Sequence, residues 1–321
     1  MEGTAAARVK QNVDRLIANI ASVIYVSRTT LEHLIAAKVA GGHVMLADTH
    51  GVGKTSLARA LAGSFIWESG GNGQETPFSR IQCTVDLLPQ DILGFSRFDG
   101  SSNNLTFYRG PIFAHFILCD EINLLTPKTQ GSFFQAMEEQ TVTVEGKTHR
   151  LPDPFFIIAT MNLKGVHLFP LPAPQLDRFM IQLSMGIPDA ATEARIIGQH
   201  GREDGWKRFG PVIEYRELLE WQKLVDEVFI HPDVVSYIVT CVRRTRESPE
   251  VQISATPRSG VKISRLARAL ALIRGETYVT VDLIKEIFVP AVSHRITMQD
   301  PSDSTADYLR GILESVPVER R

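Results

Sequence analysis

The chain has 321 residues, of which 44% are hydrophobic and 22% are charged, which excludes a wholly disordered protein and predicts two packed units of unequal size. Its 34 Lys and Arg residues against 36 Asp and Glu give a formal net charge of -2, so the composition offers no general attraction for nucleic acid or anionic lipid. Three cysteines without a close pair argue against a disulfide framework and a zinc cluster. No stretch reaches the roughly 20 apolar residues of a bilayer crossing or resembles a signal peptide, so we expect a cytoplasmic protein without membrane insertion.

The first predicted elements are two helices, a strand and a third helix. Apolar residues recur at helical spacing from Val13 to Ile24 and again from Leu31 to Val39, before the break at Gly41-Gly42. A short apolar run, His43 to Ala47, then leads through a glycine-bearing turn into an Ala- and Leu-rich stretch from Ser56 to Ala62. The pattern predicts a strand, a loop and a helix in that order.

Two further apolar runs predict strands of the same sheet. They are Phe116–Cys119 and Phe155–Ala159, with helical sequence at Gln130–Glu139 between them. Runs that are apolar on both faces are typical of a buried parallel sheet with helices on either side. The sequence therefore predicts an α/β fold.

Two segments are predicted to project from this sheet. One spans about residues 95–110 around the polar turn Asp99–Asn104, and the other spans 140–151 and alternates like a hairpin around Glu145-Gly146. From Pro188 onward the spacing of apolar residues changes to helical periodicity, as from Arg216 through Arg246. We therefore predict a core over residues 1–188 and a smaller helical domain over residues 189–321.

The turn after the first strand carries the second half of the phosphate-binding pattern G-x-x-x-x-G-K-[ST]. The glycines would let backbone N–H groups curl around phosphate oxygens, Lys54 would reach the β and γ phosphates, and the Thr55 hydroxyl would bind Mg²⁺. The predicted contacts to the nucleotide are Thr49, His50, Gly51, Val52, Gly53, Lys54, Thr55 and Ser56.

Asp48 stands where the phosphate-binding pattern has its first glycine. Its carboxylate would weaken nucleotide affinity if it pointed toward the phosphates and would be harmless if it pointed away. An ordinary glycine-containing turn is the alternative interpretation of the whole segment.

An acidic pair, Asp120-Glu121, follows the second predicted strand. Ligands of open α/β sheets bind at this carboxyl edge. Asp120 would hold Mg²⁺, mostly through water, and Glu121 would polarise the water that attacks the γ phosphate. A solvated acidic pair at a strand end is the alternative.

A series of ordered motifs resembles the MoxR group of AAA+ ATPases, in the helix-2-insert branch. The likeness covers most of the chain. Its motifs are Gly41-Gly42-His43, Arg80-Ile81-Gln82, Asp86-Leu87-Leu88-Pro89, Asp91-Ile92-Leu93-Gly94, Gly110-Pro111-Ile112-Phe113, Asp120-Glu121-Ile122-Asn123, Pro127-Lys128-Thr129-Gln130, Ala136-Met137-Glu138-Glu139, Ala159-Thr160-Met161-Asn162, Leu171-Pro172 and Gln175-Leu176-Asp177-Arg178-Phe179.

This resemblance implies an AAA+ P-loop sheet followed by an all-helical lid, with ATP or ADP and Mg²⁺ as ligands. It implies that Asn162 is sensor 1, which places the attacking water, and that Arg178 is the arginine finger, which reaches the γ phosphate of the neighbouring subunit. Arg258, in the motif Thr256-Pro257-Arg258, matches sensor 2 and would contact the γ phosphate either in its own subunit or across the interface. The resemblance also implies a closed ring, usually a hexamer.

Each of these residues also has a local interpretation, and the adenine contacts depart from the family. Arg178 could form a surface ion pair, Asn162 could cap a turn and Arg258 could begin a helix. Val26-Ser27 stands where the family often has a Gly-Gln pair near the adenine, so adenine contacts are expected from backbone groups and from Val23, Ile24 or Tyr25.

Three functions remain open. In the family, the ring couples ATP hydrolysis to chaperone-like remodelling, maturation or activation of a client protein complex, often with a von Willebrand factor A domain partner. A slow nucleotide-switched assembly scaffold is the alternative, and the presence of Glu121, Asn162 and Arg178 counts against it. A DNA translocase shares the architecture, but a dense basic cluster is missing from the segment at 95–110, so a nucleic-acid partner is not expected.

Overall fold

The computed structural model describes residues 3–48, 51–67, 76–99, 104–161, 169–199 and 204–318. Thr49, His50 and Asn162, which the sequence predicts at the active site, lie outside these ranges. Among the helices in the described ranges, none combines the length and apolar character of a membrane-spanning segment.

The strands of the described residues belong to one parallel sheet and to several two-stranded pairs. In chain order they are β1 (His43–Ala47), β2 (Phe65–Ile66), β3 (Thr76–Gln82), β4 (Gly94–Asp99), β5 (Asn104–Arg109), β6 (Ala114–Asp120), β7 (Thr141–Val144), β8 (Lys147–Arg150), β9 (Phe156–Met161), β10 (Phe179–Leu183), β11 (Ile213–Glu214), β12 (Phe229–Ile230), β13 (Val251–Ile253), β14 (Tyr278–Val279) and β15 (Thr297–Met298).

The α-helices of the same ranges surround this sheet and dominate the C-terminal part of the chain. They are α1 (Gly3–Ala21), α2 (Arg28–Val39), α3 (Lys54–Gly63), α4 (Pro89–Leu93), α5 (Pro127–Glu139), α6 (Ala173–Leu176), α7 (Ala190–Gln199), α8 (Asp204–Arg208), α9 (Tyr215–Leu224), α10 (Pro232–Glu247), α11 (Pro257–Ile273), α12 (Val281–Val292) and α13 (Thr305–Ser315).

The main sheet has five parallel strands in the order β10-β1-β9-β6-β3. Alternate residues of β6 enter two different cores: Phe116 and Leu118 join the core beneath α1, α2 and α3, whereas Ile117 and Cys119 join the core formed with α5. Because both faces of the strand are buried, it is apolar without alternation. The predicted parallel α/β sheet is confirmed.

Two hairpins lie beside the sheet, where the sequence predicts projecting segments. Strand β4 pairs with β5, and β7 pairs with β8, both antiparallel. The turn of the second hairpin has Glu145 and Gly146 at φ 51° and 78°, a conformation that matches the twist of a tight hairpin. The hairpins contact each other, since the Phe107 ring stacks on His149 with centroids 4.2 Å apart.

Close packing explains two glycines of the first hairpin. A Cβ on Gly94 would lie 2.1 Å from the carbonyl oxygen of Tyr108, and one on Gly110 would lie 2.2 Å from that of Ile92. Any side chain at either position would collide with backbone, so the hairpin can leave α4 at this angle only with glycine at both positions.

The C-terminal helices share a hydrophobic core with the N-terminal ones. Leu266 and Leu270 of α11 are completely buried in the same cluster as Leu31 and Leu34 of α2. Strand β11 also pairs with β2, far earlier in the chain. These contacts do not test the predicted domain boundary at residue 188, which stays a prediction. The interpretation of the two hairpins as insertions also stays a prediction.

Several boundaries differ from those expected from sequence. Helix α1 ends at Ala21, so Ile24 lies beyond it. Strands β3 and β10 were not predicted; β3 is an edge strand in which only Ile81 is buried, so it lacks an apolar run. The helical run predicted from Arg216 to Arg246 is divided between α9 and α10.

Candidate active site

The turn after β1 has the backbone of a phosphate cradle. Gly51 and Gly53 have φ angles of 84° and 88°, a left-handed conformation that glycine adopts without strain. Helix α3 begins directly afterwards at Lys54, so its first N–H groups and the positive end of its dipole face the turn. Lys54 Nζ donates to the carbonyl oxygen of Asp48 at 2.9 Å. Thr55 and Ser56 lie in the first turn of the same helix.

The carboxylate of Asp48 is directed to the end of β10 and away from the cradle. Oδ1 accepts a hydrogen bond from the Ser184 hydroxyl at 2.5 Å, and Oδ2 accepts one from the backbone N–H of Met185 at 2.7 Å. Both carboxylate oxygens therefore have partners outside the phosphate site. Asp48 joins the start of the phosphate loop to the neighbouring strand.

The acidic pair lies at the end of β6, at the same edge of the sheet. Asp120 is buried, and its Oδ2 accepts from Arg80 Nε at 2.7 Å while Oδ1 accepts from the Thr160 hydroxyl at 3.3 Å. The backbone N–H of Glu121 donates to the same hydroxyl at 2.9 Å. Thr160 therefore fixes both acidic residues from the neighbouring strand β9.

Glu121 has an unusual backbone conformation, with φ 60° and ψ 52°. This left-handed region costs a non-glycine residue about 1 to 3 kcal/mol and is concentrated at functional sites. The side chain of a residue held in this way leaves the strand in a direction that regular β geometry would not give it.

The phosphate turn and the acidic pair face one cavity of about 360 Å³. Its lining residues are Gly51, Gly53, Lys54, Thr55, Arg80, Gln82, Asp120, Glu121 and Thr160. Backbone N–H groups, a lysine, a hydroxyl and a carboxylate are the groups that bind a triphosphate with Mg²⁺, so this donor set fits that ligand. Beside the turn, Ile24 Cδ1 would lie 3.4 Å from a Cβ on Gly53. Tyr25 follows it between α1 and α2.

Arg178 and Arg258 lie together and share an acidic partner. Arg178 donates from Nε and Nη2 to Glu138 Oε2 at 2.9 and 2.7 Å, and its guanidinium lies 5.5 Å from the Phe134 ring centroid. Arg258 approaches Glu138 at 3.9 Å and Asp177 at 3.8 Å. The structure thus brings the two predicted arginines to one place.

That place lies at the amino ends of the parallel strands, whereas the cradle lies at their carboxyl ends. In the parallel pair of β1 and β10, His43 lies opposite Phe179 and Leu46 lies opposite Leu183. Arg178 therefore precedes the start of β10, whereas the phosphate turn follows the end of β1. At about 3.3 Å per residue, the five residues of β1 separate the two by about 16 Å along the strand.

The arginines belong to a cluster with more cations than carboxylates. Arg295 Nε donates to Asp177 Oδ1 at 2.8 Å, and Lys262 Nζ donates to the Asp177 carbonyl. Burial, reinforced by Arg295, lowers the pKa of Lys262 to about 7. The hydrogen bonds from Arg178 lower the pKa of Glu138. Four basic side chains therefore surround two carboxylates, and the cluster favours an additional anion.

Three residues of these sites were missed as functional candidates from sequence. Arg80 and Glu138 occur in the motifs of the family resemblance, Arg80-Ile81-Gln82 and Ala136-Met137-Glu138-Glu139, but no role was assigned to them. Lys262 follows Arg258 by one helical turn, which is the spacing that places two side chains on one helix face. That spacing could have indicated its position.

Comparisons with known proteins agree with this architecture. The sequence model for ATPases associated with various cellular activities (AAA) matches residues 43–181, and that for the AAA lid domain matches residues 243–310. The uncharacterized protein YeaC of Bacillus subtilis is 37% identical over 89% of each chain. Chaperone MoxR1 of Mycobacterium tuberculosis is 30% identical over 92% of this chain and 78% of its own length. A candidate ATPase from Cytophaga hutchinsonii, known from a crystal structure, has a TM-score of 0.88 and 25% identity over 99% of this chain and 98% of its own. This chain belongs to the MoxR family of AAA+ ATPases.

Proposed function

We propose that this protein is a Mg²⁺-dependent ATP hydrolase that works in a closed cytoplasmic ring of identical subunits, of the hexameric size usual for the family. The observation that carries the proposal is the division of the catalytic groups between two opposite edges of one sheet. The cradle and acidic pair lie at the carboxyl edge, and Arg178 lies at the other. Two copies joined head to tail would unite the two halves, and a head-to-tail interface generates a ring when it closes.

The chain's own residues provide the binding and base groups of the site. The N–H groups of the cradle and Lys54 bind the β and γ phosphates. Thr55 and Asp120 would hold Mg²⁺, which when bound neutralises charge on those phosphates. Glu121 orients the attacking water as general base, and Asn162 is assigned to the same water by the family resemblance.

The neighbouring subunit supplies positive charge to the γ phosphate. Arg178 is proposed as the arginine finger, which stabilises the charge of the transition state. Arg258 shares Glu138 with it, so we place Arg258 in the neighbour's site as well and not in its own. The cationic excess of the cluster supports this assignment because an incoming phosphate would balance it.

The work of the ring is proposed to be remodelling, maturation or activation of a client protein complex. A relative that covers most of the chain is named a chaperone. The first hairpin exposes large apolar side chains that could contact a client: Phe95, Phe98, Leu105 and Tyr108. Exposed apolar groups clustered on one hairpin are typical of an interaction surface. We propose a von Willebrand factor A domain protein as partner on the basis of the family resemblance.

The test compares wild type with Glu121→Gln, which keeps the size of the side chain and removes the base. Phosphate release should be fast in wild type and lost in the variant, while ATP binding and ring formation, measured by calorimetry and sedimentation, persist in both. Mg²⁺ chelation should stop wild-type turnover, and added Mg²⁺ should restore it. Wild-type turnover as slow as that of Glu121→Gln would reject the motor in favour of a nucleotide-switched scaffold.

A further inference from the structure

Arg80 is a second basic side chain in the nucleotide cavity, opposite Lys54. It lies on the edge strand β3. Its guanidinium contacts Asp120 Oδ2 through both Nε and Nη2, each at 2.7 Å, and Nη2 also donates to Gln82 Oε1 at 3.1 Å. Its side chain remains 49% exposed, although its partner Asp120 is only 11% exposed. An arginine that lines a cavity with half of its surface free has donors left for a ligand.

The order of strands places Arg80 on the far side of the acidic pair from the cradle. The cradle follows β1 and the acidic pair follows β6, with β9 between them, whereas Arg80 lies on β3 beyond β6. A triphosphate held by the cradle extends its terminal phosphate toward the residues that hold Mg²⁺ and the attacking water. Arg80 therefore stands at the γ-phosphate end of the cavity and away from the α phosphate.

We propose that Arg80 discriminates ATP from ADP by binding the γ phosphate of the nucleotide in its own subunit, an inference that rests on the proposed ATPase function. The planar guanidinium has five donors, so it can contact a carboxylate and a phosphate oxygen at once. Lys54 reaches the β phosphate, which ATP and ADP share, as well as the γ phosphate, whereas the proposed contact of Arg80 is confined to the γ phosphate, which ADP lacks. Within the cavity, Arg80 would thus report whether the nucleotide has been hydrolysed.

The test measures affinity and not turnover. In a Glu121→Gln background, which prevents hydrolysis, calorimetry compares the Kd values of Mg-ATP and Mg-ADP with and without Arg80→Gln. We expect Arg80→Gln to weaken ATP binding about ten- to a hundredfold, the range for a hydrogen bond to a charged group, and to change ADP binding less than about twofold. Arg80→Lys, which keeps the charge and loses the fork, should give a smaller loss confined to ATP.

The matched control is Arg310→Gln, since Arg310 also pairs with an aspartate, Asp307, but on α13. This control should change neither affinity. An equal loss for ATP and ADP would overturn the inference, because it would mean that Arg80 acts only through Asp120 and the shared Mg²⁺. Unchanged affinities would overturn it too.

A separate variant distinguishes failure of this inference from failure of the proposed function. Lys54→Ala should weaken the binding of both ATP and ADP, because Lys54 reaches the β phosphate that both nucleotides carry. If the parent protein binds neither nucleotide, the proposed function and the inference both fall. If it binds both and Arg80→Gln leaves their ratio unchanged, only the inference falls. Thermal unfolding of each variant verifies that the protein is folded, and Arg80→Lys supplies the comparison if Arg80→Gln does not fold.

Discussion

Arg178→Ala should abolish ATP turnover and leave ATP binding intact, because this side chain serves the nucleotide of the neighbouring subunit. Its own cradle is about 16 Å away along the strand, beyond the reach of an arginine side chain. Arginine fingers contribute about a thousandfold or more to the rate of phosphoryl transfer, so steady-state phosphate release should fall at least that far.

Mixing variants turns this geometry into a quantitative prediction. A site needs Glu121 from one subunit and Arg178 from the next. In a random one-to-one mixture of Arg178→Ala and Glu121→Gln, about one quarter of head-to-tail interfaces combine both intact groups, so turnover should recover to about one quarter of wild type. Energy transfer between labelled subunits verifies that they exchange. No recovery despite exchange, or wild-type turnover by Arg178→Ala alone, would refute the reasoning.

The same design decides where Arg258 acts. If Arg258 serves the neighbour's site, Arg258→Ala mixed with Arg178→Ala gives no intact site, because both arginines must come from one subunit. Mixed with Glu121→Gln it should recover to about one quarter. Recovery in the first mixture and none in the second would place Arg258 at its own nucleotide.

Three further predictions concern stability and can be tested by urea unfolding. Asp48→Ala should lower the free energy of unfolding by about 1 to 3 kcal/mol, because it removes two hydrogen bonds to the end of β10. It should also weaken ATP binding measured by calorimetry. An unchanged free energy of unfolding would contradict this prediction. The pKa of Lys262 is about 7 in the folded protein and 10.5 ordinarily, so between these pH values the unfolded chain binds more protons than the folded one. The free energy of unfolding should therefore rise with pH in this range, by at most about 1.4 kcal/mol per pH unit. Lys262→Met should flatten this rise, and an unchanged slope of the free energy against pH would count against the reasoning. His43→Phe should lower the free energy of unfolding by about 2 to 5 kcal/mol, because it leaves two buried backbone groups without their partner. In the neutral ring, whose pKa burial lowers to about 3, Nδ1 accepts from the N–H of Ile157 and Nε2 donates to the carbonyl of Met137. A loss below about 1 kcal/mol would be inconsistent with these bonds.

The central sheet and the cavity could be predicted from sequence because their signals are local. Strands β1, β6 and β9 are apolar on both faces, which is the sequence pattern expected of a buried parallel strand. The carboxyl ends of parallel strands meet at one edge, so a phosphate turn after β1 and the acidic pair after β6 had to approach each other.

The edge strand and the directions of individual side chains could not be predicted. Strand β3 is mostly exposed, and its sequence therefore carries no apolar period. The direction of Asp48 is decided by a hydroxyl and an N–H group at residues 184 and 185, which no local pattern relates to it. Arg258 and Arg178 lie 80 positions apart in the sequence, and their shared contact with Glu138 depends on how α11 packs against α2 and α12.

The hydrophobic core that joins α2 and α11 has a mechanical consequence. Opening a subunit like a clamshell would expose completely buried leucines on both helices, which costs about 1.5 to 3 kcal/mol for each side chain. Helix α11 is also a stiff rod of 17 residues, about 25 Å long, that carries Arg258 at one end and this core along its length. We therefore expect each subunit to rotate as one rigid body, so that the conformational change of the ring is concentrated at the interfaces between subunits.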